Sequence, residues 1–393
     1  MTARTAGAAL PQATPADLRI TPVEGSADLD RFIRLPARLY DGHRGFVAPL
    51  VIERRDALRQ DKNPYFRHGQ GQYWLAWRNG QPVGRISAQV DRLYLERHGA
   101  DAGHFGFLDA EDDPAIIRAL VSTAEQWLAA RGMRRLLGPF NLSSNEECGL
   151  LVDGFEATPM MMMGFSPPYV GQHLSALGFR KAKDLVAYDL QIPDPSPPPI
   201  ARVAAKLGSS NRITVRPLDM KRYDAELMTA IDIYNDAWSE NWGFIPFTPD
   251  EMRHVASSMK PLIRPDFVWL GETEGEVASM VVCLPNLNEA IAGLNGAILP
   301  FGWAKLLWRL KVAGVKTGRV LLLGVRKRYH RTAVGTVLLY GILDRLRAGM
   351  LRGGLRRIEL SWILEDNLAI RRVVEDLGAQ VYKTYRIYEK EIA

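Results

Sequence analysis

The sequence repeats itself after roughly half its length. Three short motifs recur in the same order: Arg19-Ile20-Thr21 at Arg212-Ile213-Thr214, Trp74 at Trp269, and Leu177-Gly178-Phe179 at Leu377-Gly378-Ala379. The offsets between the paired motifs are 193, 195 and 200 residues. Ordered motifs at a nearly constant spacing predict two copies of one fold. A chain of 393 residues is long enough for each copy to bury its own core.

A proline-rich stretch separates the two copies. Five of the seven residues from Pro193 to Pro199 are proline, a composition that favours stiff, extended chain. We therefore predict a first domain over 17–192, a linker over 193–211 and a second domain over 212–393. Residues 1–16 are rich in Ala, Thr and Pro and lack the apolar core of a signal peptide, so we expect a disordered tail.

Composition narrows the class of protein. Hydrophobic residues make up 47% and charged residues 24%, which is typical of a globular protein, and no apolar run is long enough to span a membrane. Cys148 and Cys283 are the only cysteines, which favours a reducing cytoplasm and offers no metal cluster. The formal charge of +6 is modest and comes without a recognition motif, so we expect an anionic ligand rather than nucleic acid.

The pattern of each copy predicts an α+β fold in which helices flank a mixed, mostly antiparallel sheet. Each copy has a strand hairpin with a Gly-containing turn, followed by alternating strands and helices. In the second copy we predict strands over Val320 to Val325, Arg357 to Leu364 and Val381 to Tyr388. Helices are predicted between them, from Val334 to Leu351 and from Asn367 to Leu377.

The junction between strand 320–325 and its helix carries basic and small residues. The run from Val325 to Thr336 contains Arg326, Lys327, Arg328, His330 and Arg331 just before a helix start. Free backbone N–H groups and the positive end of a helix make such a junction a cradle for pyrophosphate. A solvated basic turn explains the same residues equally well.

With these elements in this order, the second copy resembles the GNAT superfamily of acyl-CoA-dependent N-acyltransferases, and the first copy resembles it loosely. The resemblance implies acyl-CoA as co-substrate, without a metal. It places CoA along the strand at Leu323 and Val325 and beside Asn367. The family's cradle slots fall on these residues: His330, Arg331, Thr332, Ala333, Val334, Gly335 and, one residue on, Thr336. His330 and Ala333 depart from the family's usual Arg or Gln and Gly.

The resemblance also implies a general acid and a general base. The family's tyrosine slot holds Val374, so we consider Tyr382 and Tyr385 on the last strand as acids for the leaving thiolate. Packing within the sheet is the more common role of such tyrosines. For the base we choose Glu365, which ends a strand where the thioester would lie. A solvated surface carboxylate is an equal alternative for Glu365.

The first copy lacks a basic cradle. Its equivalent segment carries Asp109, Glu111, Asp112 and Asp113 before a helix, and these carboxylates would repel a pyrophosphate. We therefore expect a degenerate GNAT-like domain that does not bind CoA. The loop 138–147 is rich in polar groups, which suit either an acceptor site or a self-satisfied turn.

Two further stretches bear on the substrate. The segment 301–311 places Trp303, Leu306, Leu307 and Leu310 at helical spacing among basic residues, which suits an anionic membrane surface or a helix covering the sheet. Met160 to Met163 suits an acyl pocket or ordinary core. A cluster of large apolar side chains, Trp238, Trp242, Phe244 and Phe247, exceeds what a site for small polar amines requires.

The layout of the whole chain is similar to the tandem-GNAT proteins that include bacterial ceramide synthases. The segments that carry this resemblance are 241–244, 300–311 and 361–367. It implies transfer of a fatty acyl group to the amine of a lipid such as a sphingoid base, in the cytoplasm or at the inner face of the membrane. Two alternatives stay open: an acyltransferase for a small amine or peptide, and a non-catalytic acyl-CoA or lipid-binding protein.

Overall fold

The computed structural model describes residues 17–207 and 212–392. The predicted tail 1–16 lies outside these ranges. Among the described residues, the first half of the chain has seven strands and five helices. One further helix, α6 (Pro198–Leu207), lies between this half and the second. These elements are β1 (Leu18–Pro22), α1 (Gly25–Leu39), α2 (Val51–Leu58), β2 (Gly69–Arg78), β3 (Gln81–Asp91), α3 (Arg92–His98), β4 (Ala102–Ala110), α4 (Pro114–Ala129), β5 (Arg135–Gly138), β6 (Leu150–Asp153), α5 (Pro168–Ala176), β7 (Arg180–Gln191) and α6 (Pro198–Leu207).

The second half repeats the order of the first, except that among the described residues it has two helices in place of α3 and no strand equivalent to β6. Its elements are β8 (Ile213–Pro217), α7 (Tyr223–Ala237), α8 (Pro249–Met259), β9 (Val268–Thr273), β10 (Glu276–Pro285), α9 (Leu287–Ile291), α10 (Gly302–Trp308), β11 (Thr317–Val325), α11 (Ala333–Arg352), β12 (Arg357–Leu364), α12 (Leu368–Asp376) and β13 (Gln380–Glu391). A π-helical turn, Arg309–Ala313, follows α10. These bounds match the strands and helices predicted for this half closely.

The strands of both halves join into one mixed sheet. Their order is β1-β2-β3-β4-β5-β13-β7-β12-β11-β10-β9-β8, with β6 pairing β13. Only β4 with β5 and β11 with β12 pair in parallel; the other described pairs are antiparallel. The last strand of each half has moved into the other half's sheet, because β13 pairs β5 and β6 while β7 pairs β12. The two halves therefore share the centre of one sheet.

The two halves do repeat one another, but the Arg-Ile-Thr motif predicts an offset between equivalent residues that is two residues too small. Pro22 pairs Trp74 in the first half, and Pro217 pairs Trp269 in the second, so both partners are offset by 195 residues. The matching letters Arg-Ile-Thr in 19–21 and 212–214 are offset by 193 instead. Strand equivalence follows the hydrogen-bonded register, which short identical motifs do not determine.

Each half packs its longest central helix against the sheet. On α11 the buried residues Leu338, Ile342, Leu346 and Met350 recur every four positions, which puts them on one face of the helix. They contribute to the core of the second half or to its extension beneath β10. Helix α4 does the same in the first half. The faces of the sheet are thereby covered, and the site opens where two strands part.

The segment between the halves is not extended throughout. Helix α6 starts at Pro198, although a stiff linker was predicted for 193–211. Proline suits the first turn of a helix because its fixed φ is helical and its missing N–H needs no acceptor there. Ile200 on this helix is buried in the core of the second half. Packing of α6 against α11 therefore overrides the extended preference of the prolines.

Candidate active site

The two parallel strands at the centre of the second half part company halfway along their length. Strands β11 and β12 pair from Thr317 with Arg357 to Val320 with Leu360, and no further. Beyond Val320, β11 still pairs β10, so its edge facing β12 is left open. Gly324 lies on this open part, and a Cβ there would come within 2.5 Å of the Trp238 ring. The absence of a side chain lets that ring close over the strand.

A cavity of about 340 Å³ opens at this gap and reaches both halves of the chain. Leu321, Leu322, Trp362 and Leu364 line it at the ends of the separated strands. The walls are mainly apolar. Further lining residues are Tyr234, Trp238, Trp242, Phe244, Phe247, Met252, Val255, Met259, Leu270 and Met280 from the second half, and Phe140, Met162 and Leu185 from the first. The aromatic cluster picked out in the sequence is thus assembled around one cavity.

One stretch of the cavity wall, contributed by the first half, is charged. Glu53 and Arg54 lie on α2, and Glu146 and Glu147 lie on the loop between β5 and β6. Arg54 bonds Glu147 and lies 3.3 Å from Glu53. The polar composition of loop 138–147 suits an acceptor site or a self-satisfied turn, but it does not indicate which residue would bind the acceptor. Arg54 gave no signal, because only the tertiary fold brings α2 to this wall.

Helix α8 closes the cavity and is tied to the first half through a buried histidine. His68 Nδ1 lies 3.0 Å from Asp91, and His68 Nε2 lies 3.1 Å from Glu251 on α8. Desolvation lowers the pKa of His68, but the hydrogen bonds to both carboxylates raise it by a larger amount. The resulting pKa of His68 is about 9. The imidazole is therefore charged at neutral pH. The helix that carries Met252 and Met259 is held in place by a two-sided ion pair.

The predicted phosphate cradle forms the start of α11. Thr332 caps the helix by accepting the Gly335 N–H at 3.0 Å. A Cβ on Gly335 would lie 2.0 Å from the Tyr329 carbonyl oxygen, so glycine permits the tight approach. Ala333 and Val334 occupy the first helical turn, where N–H groups have no acceptor within the helix. These donors point out of the helix start, where a phosphate can accept from them.

The cations around the cradle are mostly engaged. Arg326 donates to Asp232 at 2.6 Å, Lys327 to Glu240 at 2.6 Å, and Arg328 bonds Glu276. His330 Nε2 lies 2.7 Å from the Val325 carbonyl oxygen, which ties its ring to the preceding strand. Arg331 has a φ of +59°, and within residues 17–207 and 212–392 its guanidinium has no ion-pair partner. Of the four predicted Arg and Lys residues, Arg331 is thus the one without an ion-pair partner among the described residues.

Glu365 follows β12 and does not line the cavity. Its Oε2 accepts from Lys181 at 2.6 Å and its Oε1 accepts from the Asp184 N–H at 3.1 Å. Asn367 caps α12, with Oδ1 accepting from the Ile370 N–H at 3.4 Å. Leu323 and Val325 lie on the open part of β11, next to the cavity-lining Leu322. The predicted base is therefore engaged in other contacts and is not among the residues that line the cavity.

The two candidate tyrosines lie inside the protein, beside a buried ion pair. Tyr382 donates to Glu359, which lies 3.5 Å from Arg319, a cavity-lining residue. The Tyr385 side chain is fully buried, and its hydroxyl has no hydrogen-bond partner among the described residues. Burial and then the Glu359 charge raise the pKa of both tyrosines. Neither tyrosine lines the cavity, so neither reaches a ligand there in this conformation.

On an ideal strand Tyr382 and Tyr388 would share one face and Tyr385 would lie on the other, but the tyrosines of β13 are arranged differently. Tyr382 and Tyr385 pack in the same cluster, whereas Tyr388 joins the core of the first half. The register of β13 against β7 shifts between Val381 and Lys383, and against β6 it shifts between Thr384 and Tyr385. A bulge adds a residue to one strand and turns the following side chains to the other face.

A patch of apolar side chains is exposed around α10. Leu306 and Leu310 pack against the core, as a helix covering the sheet requires. Their neighbours face outward. We define the 299–312 patch as Leu299, Phe301, Trp303, Leu307, Trp308 and Val312, whose exposed fractions run from 49% to 79%. Within the described ranges, no helix is both long enough and apolar enough to cross a bilayer.

Two curated proteins are similar to this chain over nearly its whole length. The chain is 48% identical over 380 residues to the bacterial ceramide synthase of Caulobacter vibrioides, covering 96% of this chain and 99% of that protein. It is 42% identical over 366 residues to protein YghO of Escherichia coli, covering 93% of each. No family model matches the sequence.

Two solved structures share the fold over nearly the whole chain. One is a tandem GNAT protein from the clavulanic acid biosynthesis pathway, with a TM-score of 0.57 at 12% identity, covering 96% of this chain and 99% of that one. Another is a GCN5-related N-acetyltransferase from Sphaerobacter thermophilus, with a TM-score of 0.54 at 15% identity and 97% of each chain covered. In the described ranges, no three His, Cys, Asp or Glu side chains form a group able to hold a metal ion.

Proposed function

We propose that this protein transfers a long-chain acyl group from acyl-CoA to a lipid amine. It belongs to the tandem GNAT family of N-acyltransferases, which includes the bacterial ceramide synthase of Caulobacter vibrioides. The observation that carries the proposal is the cavity at the parting of β11 and β12. Its walls are apolar over most of their area, and one stretch of wall carries a group of carboxylates. A long-chain amine has the same two parts, an apolar chain and a cationic head.

Acyl-CoA would bind across the start of α11 and along the open edge of β11. The pyrophosphate would accept from the backbone between Arg331 and Thr336 and pair with the Arg331 guanidinium. The pantetheine arm would then replace the missing β12 partner beside Leu323 and Val325. This path leads the thioester to the cavity wall at Leu322. The cradle and the cavity are linked by a single strand.

The chemistry needs the carbonyl oxygen of the thioester to be stabilised as the amine attacks. A backbone N–H on the open edge of β11 near Val325 is free for this role, since β12 has already diverged. Such a donor typically contributes ~2.7–4 kcal/mol to the transition state. The thiolate would be protonated by solvent or by a tyrosine, and roles for Tyr382 and Tyr385 stay predictions.

The cavity bears on the two alternative functions. A small polar amine would leave the surface of Trp238, Trp242 and Phe247 uncovered, whereas each methylene that a chain buries there stabilises the complex by about 0.8 kcal/mol. A protein that binds lipid without CoA has no use for a phosphate cradle joined to the same cavity, whereas a protein that binds acyl-CoA without turnover would use it. The cavity therefore favours a lipid over a small polar amine, and the turnover assay below separates acyl transfer from acyl-CoA binding.

A membrane surface is the natural source of such a substrate, and the 299–312 patch suits contact with it. Lys305, Lys311 and Lys316 lie in or beside the patch, and the sequence contains no Asp or Glu between Ala290 and Leu343. Exposed aromatic and aliphatic side chains among cations bind the headgroup region of anionic bilayers. We propose that this patch rests on the inner face of the cytoplasmic membrane.

Sedimentation with vesicles tests the membrane contact. The wild-type protein is expected to bind vesicles rich in phosphatidylglycerol more than phosphatidylcholine vesicles, and a Phe301→Ser, Trp308→Ser double variant should lose this binding. Leu368→Ser is the matched control, because it removes an equally exposed apolar side chain elsewhere. Equal binding by the double variant and the control would rule out the patch as the contact.

Turnover tests the function itself. Purified protein is incubated with palmitoyl-CoA or acetyl-CoA, with and without sphinganine, and free thiol and product mass are followed. The proposal expects sphinganine-dependent thiol release from palmitoyl-CoA and an N-acyl product. Leu322→Trp, which fills the cavity beside the open strand, should slow this reaction. Release from acetyl-CoA alone would indicate a small-acyl transferase, and tight palmitoyl-CoA binding without any thiol release would indicate another acceptor or a binding protein.

A further inference from the structure

Glu146 is presented to the cavity by a loop that the second half holds in place. The loop is closed by a bridge between Phe140 and Cys148. Asn145, the residue before Glu146, donates from Nδ2 to the Ile245 carbonyl oxygen at 3.3 Å and accepts from the Tyr234 hydroxyl at 2.8 Å. Both partners belong to the second half. The position of Glu146 in the wall therefore depends on the contact between the halves.

The carboxylate of Glu146 is the unsatisfied member of the charged group. Arg54 is bonded to Glu147 and close to Glu53, and Glu147 also accepts from Asn141 Nδ2 at 3.0 Å. In the part of the chain that the structure describes, no hydrogen bond or ion pair reaches the Glu146 side chain. Three carboxylates thus share one guanidinium, and this stretch of the cavity wall carries an excess of negative charge.

Its surroundings keep Glu146 near the point of ionisation. Burial is the main effect, the Arg54 charge opposes it, and the charges of Glu147, Glu53 and Glu251 add to it, which together raise the pKa of Glu146 to about 7. These groups come from α2, from the loop itself and from α8, the elements packed around the carboxylate. A carboxylate with such a pKa can hold or release a proton at neutral pH.

We propose that Glu146 is the catalytic residue that binds the ammonium head of the acceptor and removes its proton. The inference rests on the proposed function and adds to it the half of the molecule from which the base comes. A cationic head fits the stretch of wall that carries Glu146, while the chain of the same amine would lie along the aromatic walls. The first half, which lacks a phosphate cradle, would thus supply the acceptor's site.

The ammonium group loses one proton to Glu146 and becomes a neutral amine. Its nitrogen lone pair forms a bond to the thioester carbonyl carbon, and the carbon–sulfur bond breaks as the tetrahedral oxyanion collapses. The second nitrogen proton is lost as the amide forms and appears on the thiol of CoA. Glu146 then releases its proton to solvent before the next cycle.

Glu365 is less suited to this role. Its carboxylate already accepts from Lys181 and from the Asp184 backbone, and it does not line the cavity. A base must reach the proton it removes. Glu146→Gln and Glu365→Gln therefore form a direct comparison, and the exposed Glu96→Gln controls for the chemical change alone.

Turnover of sphinganine with palmitoyl-CoA is the first readout. Glu146→Gln should lower kcat by about 100-fold or more, the range expected for loss of a general base, with palmitoyl-CoA binding unchanged. In the wild type, kcat should fall as pH drops below about 7. A wild-type rate in Glu146→Gln, or a loss confined to Glu365→Gln, would overturn the proposal.

Amine binding is the second readout and does not require turnover. Calorimetry of dodecylamine at pH 7 in two buffers measures proton exchange, and the wild type should release about half a proton as a half-protonated Glu146 ionises against the cation. Glu146→Gln should release none and bind dodecylamine at least ~10-fold more weakly, with 1-dodecanol binding unchanged. This result without wild-type turnover would reject the proposed function but keep Glu146 as the amine site. Equal proton release by both proteins, or no dodecylamine binding by the wild type, would overturn the inference.

Discussion

Replacing Glu146 by glutamine should stabilise the protein, and the gain should grow with pH. The pKa of this carboxyl is about 7 in the folded protein against 4.5 for an ordinary glutamate. The folded state therefore holds a proton that the unfolded chain has lost between these values. By linkage, wild-type stability from this group is fully present below pH 4.5 and falls as the pH rises through 7. Glutamine does not titrate, so the variant escapes this loss.

The two pKa values set the size of the effect. Between pH 5 and pH 8 the free energy of unfolding of Glu146→Gln should rise relative to wild type by about 2.5 kcal/mol. Urea unfolding followed by tryptophan fluorescence at pH 5, 6, 7 and 8 measures this difference. The exposed Glu96→Gln should show no such trend. A difference between Glu146→Gln and wild type that stays constant with pH would mean that the carboxylate is solvated, and would remove the electrostatic basis for its role as a base.

Two further predictions concern the cradle and the clamp on α8. Arg331→Ala should raise the Kd of palmitoyl-CoA by roughly tenfold and make the Kd less dependent on salt, because it removes a cation from the pyrophosphate. Arg328→Ala should change the Kd little, because Arg328 is already paired with Glu276. Titration of both variants with palmitoyl-CoA at two salt concentrations measures the difference. His68→Gln should remove stability that the wild type has in full below pH 6.5 and loses as the pH rises through about 9, since the bonds to Asp91 and Glu251 raise that pKa. Thermal unfolding of both proteins at pH 6 and pH 10 should therefore differ at the lower pH and converge at the higher.

The elements of the second half could be predicted because their signals are local. Strand β12 has the bounds predicted for it, and α11 begins and ends within one residue of the prediction. An uninterrupted apolar run, a capping threonine and a four-residue period of buried side chains all lie within a few turns of chain. The helix start that the proposed cradle occupies could be predicted for the same reason, since it lies in one continuous segment.

The charged wall of the cavity could not be found in this way. Arg54 lies 93 residues before Glu147 in the sequence, and only the tertiary fold brings the two together. Glu146 carries a signal only in retrospect, as one of two adjacent carboxylates in a loop between buried strands. Glu365 attracted attention because it follows the right strand, but the ion pair with Lys181 depends on β7 entering the other half's sheet. Whether such a carboxylate is paired therefore depends on contacts between strands that lie far apart in the sequence.

The exchange of last strands has a consequence for the order in which the chain can mature. Strand β5 needs β13 as its neighbour, and Tyr388 of β13 fills the core of the first half. During synthesis, the first half must therefore wait with an incomplete sheet until β13 has left the ribosome. A stop codon just before β13 would not spare the N-terminal half. It would leave the edges of β5 and β7 open, and such unpaired edges invite aggregation.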